Sequence, residues 1–143
     1  MAFDSIALLT NEAKRRTAEG WVSGKSFIVK YFSLAASGHD FLDPTVSLAI
    51  DPAVTDIGAT VFGPEPIDAY EWVSDFCPVF VCNVQKNEVT GPVSALGLWA
   101  ELVYVPPGDP EPVGTQFLFA VHHRPLVVFT GSDAAEFRVS VFM

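Results

Sequence analysis

Prolines and glycines set the first limit on what this chain can become. Between residues 38 and 68 stand Gly38, Pro44, Pro52, Gly58, Gly63, Pro64 and Pro66. Each such residue breaks a helix or weakens a strand ladder, so only short strands fit between them, at 46–49 and 59–62. Elsewhere, runs dense in β-branched and aromatic residues predict strands at 26–34, 69–73, 79–84, 96–105, 115–122, 126–130 and 136–142. In the last of these Phe137, Val139 and Val141 alternate with Glu136, Arg138 and Ser140, one face for the core and one for water. The expected fold is mainly β: an antiparallel β-sandwich or barrel with one N-terminal α-helix, in a single domain spanning 1–143.

That helix is announced by Thr10-Asn11-Glu12-Ala13, where a hydroxyl can cap the helix and an acid falls in its first turn. Lys14, Arg15 and Arg16 follow toward its far end, and Gly20 is the expected stop. Asp4 is a competing cap, with Ile6, Leu9 and Ala13 as the buried stripe.

Charge excludes several classes of function. The net charge is −9, against which nucleic acid is a poor partner. Residues 1–30 are mildly basic while the remainder is strongly acidic, a distribution suited to docking unlike surfaces as well as to solubility. Mean hydropathy is +0.33, yet no run approaches the roughly 20 apolar residues of a membrane span. The basic cluster follows the first apolar residues instead of preceding them, the reverse of a secretory leader.

Candidate chemistry is sparse. Cys77 and Cys82 are five apart in one predicted strand, which places them on opposite faces as small buried hydrophobes. His122 and His123 are adjacent in a strand and face apart, without a nucleophile motif nearby. Asp40 and Asp43 flank a turn but lack the alternating ligands of a calcium loop. No catalytic set, metal or cofactor is expected. Trp21, Trp72 and Trp99, among eighteen aromatic residues, suit either a subunit interface or a sugar platform. The rigid, acidic stretch 106–114 is expected to project as a hairpin loop. The candidate partner-binding residues are Lys14, Arg15 and Arg16 on the helix, Trp99 on a strand, and Pro106, Pro107, Asp109 and Glu111 in the loop.

The segment from Leu9 to Gly20, followed by Phe27–Leu34 and Ala35-Ala36-Ser37-Gly38-His39-Asp40, resembles the N-terminal attachment domain of bacteriophage tail-fibre and tail-collar proteins. The likeness covers a helix-strand unit of about the first 45 residues, with 46–143 as a β-sandwich body. It assigns Thr10 as cap, Gly20 as stop and Gly38 to a turn. The stretch Leu34-Ala35-Ala36-Ser37-Gly38 departs from the glycine-rich turn common in such proteins. The resemblance implies a non-enzymatic virion protein, made in the host cytoplasm: a baseplate or fibre-adaptor subunit that self-associates and binds other tail proteins. The alternative expectation is a carbohydrate-binding module using Trp72 and Trp99.

Overall fold

The structure, a computed structural model, describes residues 1–132 and 134–142. Eight strands and one helix follow in the order β1 (Ala2–Leu9), α1 (Asn11–Ser23), β2 (Ser26–Ala35), β3 (Thr60–Pro66), β4 (Ala69–Ser74), β5 (Cys77–Val84), β6 (Thr90–Tyr104), β7 (Gln116–Thr130) and β8 (Ala135–Val141). The chain is mainly β with a single helix, as the residue pattern predicts. All eight strands share one sheet in the order β3-β2-β6-β7-β1-β8-β5-β4. The sheet curls into a sandwich-like shape without closing, so the barrel alternative is set aside. It is also mixed: β1 runs parallel to β8, while every other pairing is antiparallel.

Residues 1–9 correct the sequence reading. Asp4 caps nothing, because it lies within β1 opposite Arg138 of β8. Ala2–Ala7 pair with β8, and Leu8 and Leu9 then pair with β7, so one short strand joins the two halves of the sheet. Its inward residues include Ser5 and Ala7, both buried, whereas Ile6 is 63% exposed. This inverts the usual alternation, which is why the strand was not visible in the sequence.

Thr10 sits at the end of β1 and caps α1 as expected. Its Oγ1 accepts from Ala13 N at 3.1 Å and donates to the Leu118 carbonyl at 2.6 Å, welding the helix start to β7. The helix then runs through Gly20 to Gly24, whose φ of 82° supplies the left-handed cap. Gly20 is a packing residue instead of a stop, since a Cβ there would lie 2.7 Å from the Lys25 carbonyl oxygen.

Two further expectations fail for reasons of backbone pairing. Residues 46–49 form no strand; they are exposed or nearly so, with one isolated bridge between His39 and Ser47. Conversely, 115–122 and 126–130 are parts of one long strand, β7. It passes Pro125 where the ladder to β6 shifts register between Val93 and Ala95, and such an irregularity tolerates a residue lacking an N–H. There the Leu126 N–H turns to the Pro44 carbonyl, 2.8 Å away.

The main core has Phe32, Leu98, Phe117, Phe129 and Phe137 among its buried residues. A second cluster of Ala35, Ile57, Ala95, Leu118 and Val121 lies under the long connection 36–59. Gly38 lets that connection touch the sheet, because any Cβ would overlap the Ser94 carbonyl oxygen.

Replacing Thr10 by Ala removes the cap and leaves the Leu118 carbonyl without its buried donor, so stability falls by about 2 kcal/mol in urea unfolding. Thr10→Ser keeps both bonds and most of the stability. Ser5→Ala should be neutral or stabilising by up to about 1 kcal/mol, because Ser5 Oγ is buried without a hydrogen-bond partner.

Candidate functional site

The chain order creates an opening. β3 and β4 are consecutive in sequence yet stand at opposite ends of the sheet, joined only by Ile67 and Asp68. The sheet must therefore curl until its two ends approach. The link ties them together: Ile67 N–H donates to Lys30 O at 2.9 Å, and Asp68 N–H to Val81 O at 3.0 Å. Beyond that link the two ends part, and among the described residues no ladder joins β2 to β4 or β5.

The parting leaves a groove of about 930 Å³. Its walls come from three directions. α1 contributes Lys14, Thr17 and Trp21, whose spacing of three and four places them on one helix face. β2 contributes Phe27, Ile28 and Val29. The β4–β5 hairpin contributes two cross-strand pairs, Tyr70 with Phe80 and Trp72 with Pro78, which share one face of the sheet. Leu9 and Phe119 also line it. Trp21 is 83% exposed and Trp72 60%. Tyr70 and Lys14 are the titratable groups of the lining, and Lys14 makes no ion pair among the described residues. Such a surface is suited to burying apolar matter, and its one positive charge complements an acidic neighbour.

The opposite face of α1 is neutralised within the molecule. Arg16 is buried and forks onto Glu111 at 2.9 and 3.0 Å, with Glu12 at 3.2 Å and its guanidinium 4.7 Å from the Phe117 ring centre. Lys25 adds contacts to Asp109 at 2.9 Å and Glu111 at 3.1 Å. The loop 106–114 is thus tied back onto the helix instead of projecting. Bonding to the Arg16 guanidinium, aided by Lys25, lowers the Glu111 carboxyl to about 2. Hydrogen bonding to Asp109, then to Glu111 and Glu19, raises Lys25.

The eight candidate residues therefore separate. Lys14 lies on the groove. Arg15 is exposed and pairs with Glu19 at 3.2 Å. Arg16, Asp109 and Glu111 are joined in the network just described, and Pro106 and Pro107 belong to the same loop, where Pro106 O accepts from Asp109 N–H. Trp99 is elsewhere: it packs on the Ile57 cluster, and its Nε1 donates to Ser33 Oγ at 2.8 Å. The three tryptophans do not form one platform; Trp21 and Trp72 share the groove without Trp99. Tyr70, Pro78 and Phe80 were missed, because their convergence with α1 depends on the curl of the sheet.

His122 and His123 do face apart. His122 Nδ1 lies 2.9 Å from Ile6 O, and His123 Nδ1 lies 3.1 Å from Leu48 O. Burial lowers the His122 pKa. Cys77 and Cys82 are buried free thiols, and desolvation pushes Cys82 well above the usual thiol range. Among the described residues no three His, Cys, Asp or Glu side chains gather to hold a metal ion, and no helix is long and apolar enough to cross a membrane.

Comparison with protein-family models, with curated proteins and with solved structures finds no match to this chain.

The ionised form of Glu111 is favoured by folding, so its contribution is complete above the ordinary value of 4.5 and is lost as pH falls toward about 2. Glu111→Gln should flatten the acid limb of the stability–pH curve over that interval. At neutral pH it should cost about 2 kcal/mol, the worth of hydrogen bonds to a charged group. Urea midpoints measured from pH 2 to 7 check both effects.

Proposed function

We propose that this protein is a structural subunit of a bacteriophage tail, a baseplate or fibre-adaptor component that works through protein–protein contacts. The observation that carries the reading is the open groove, apolar and aromatic, bordered by a strand whose six residues are all exposed. A monomer that leaves Trp21, Tyr70, Trp72, Val73 and Phe76 to water has surface that neighbours in an assembly would cover. Among the described residues the outer edge of β4, at the end of the strand order, is an unpaired ladder of the kind that partner strands extend. The resemblance of Leu9–Asp40 to tail-fibre and tail-collar attachment domains supplies the kind of assembly, and the Thr10 cap is the element it shares with the helix described above. On this reading the partners are other tail proteins and further copies of this chain, the site of action is the virion tail, and no cofactor or catalytic residue is required.

One observation favours a second reading. Trp21, Tyr70 and Trp72 line a single groove, and exposed aromatic faces also stack on sugar rings. A carbohydrate-binding module would answer added polysaccharide with a change in tryptophan fluorescence, and the assembly subunit would not.

Gold-labelled antibody against this chain, applied to tailed particles from a lysate that contains it, should decorate the tail in negative-stain images. Label confined to unassembled material, with bare particles, would contradict the virion assignment.

A further inference from the structure

Far from the groove, the connection 36–59 presents the opposite shape. Phe41 is 86% exposed and Leu42 96% exposed, side by side at the tip of a turn. That turn is closed by its own hydrogen bonds. Asp40 Oδ1 accepts from Leu42 N–H at 2.8 Å, Asp43 Oδ1 accepts from Thr45 N–H at 3.1 Å, and Asp40 N–H donates to Val46 O at 2.9 Å. The His39 ring, itself buried and 2.8 Å from Ser94 Oγ, meets the Phe41 ring at 5.4 Å between centres. Two large apolar side chains are thereby held outward by a pre-ordered turn, with a carboxylate on either side. The backbone of the turn has little conformational freedom left to lose on docking.

Resting on the assembly reading above, we propose that copies of this chain associate head to tail, the Phe41-Leu42 tip of one protomer seating in the α1/β4–β5 groove of the next. Charge selects this occupant: the tip is flanked by Asp40 and Asp43, and Lys14 is the charged residue of the groove lining, without an ion pair among the described residues. The two surfaces cannot meet within one molecule. Phe119 lines the groove and Leu126 anchors the tip's connection through Pro44, seven positions apart on β7, or about 20 Å along a strand. A contact between two different patches is heterologous, so it continues from copy to copy into a ring or an open filament instead of stopping at a dimer.

Complementation tests this with the full chain. One variant, Phe41→Ser with Leu42→Ser, loses the tip and keeps the groove. A second, Lys14→Glu with Trp72→Ser, loses the groove and keeps the tip. In sedimentation velocity the wild type should form species beyond the dimer as concentration rises. Each variant alone should associate roughly 100-fold more weakly. An equimolar mixture should form a 1:1 pair and nothing larger, since each pair retains one intact junction. Formation of that pair also certifies that both variants are folded; Tyr70→Ser can replace the Trp72 change if the second variant is not. A tip variant that assembles like the wild type would overturn the contact while leaving an assembly subunit intact. A wild type that stays monomeric throughout would also overturn it, and particle labelling would still judge the virion assignment separately.

Discussion

The fold depends on how one short strand divides its pairing. β1 gives its first six residues to β8 in parallel and its last two to β7 in antiparallel fashion, and among the described residues no other strand bridges those two groups. Without it the sheet would be two separate four- and three-stranded pieces, β3-β2-β6-β7 and β8-β5-β4, each with an uncovered apolar face. Phe3 strengthens the join by stacking on Phe137 with centroids 5.0 Å apart and by lying beneath the Arg124 guanidinium at 4.1 Å. Burial lowers the pKa of that arginine, though it remains protonated at any ordinary pH.

From this join the groove follows. β1 ends at Leu9, and Thr10 at once turns the chain into α1 across the end of the sheet. The ion pairs of Arg16 and Lys25 with Asp109 and Glu111 press one side of the helix against the 106–114 loop. Its other side is left over the space between β2 and the β4–β5 hairpin. Charge is spent internally on the first side, while the second keeps aromatic rings and the ammonium of Lys14. An acidic protein thus presents an apolar groove with a local positive mark.

Much of this was legible in the residues. The Thr10 cap needs only a hydroxyl followed by an acid and helix formers, and β8 needs only Phe137, Val139 and Val141 at a spacing of two. The strand at 26–34 was equally plain, ending one residue later at Ala35. β1 was hidden because Ser5 and Ala7 face the core while Ile6 and Leu8 face out, so helical spacing competed with strand spacing. Gly20 misled because a glycine chosen for close backbone approach looks the same as a helix stop. For the groove, Trp21 and Trp72 stood out by type, but the sheet order that brings β4 beside α1 is a long-range property with no local signature. The acidic loop was recognised as rigid; that its charges were already matched by Arg16 and Lys25 required the tertiary structure.

Native-state hydrogen exchange, resolved by residue in dilute protein, tests the role of β1 most directly. Amides of β1 that bond to β8 and β7 should exchange only through global unfolding, with the same free energy as those at the centre of β6. Exchange of β1 through a low-energy local opening, while β6 and β8 remain protected, would contradict its place as the strand that holds the sheet together.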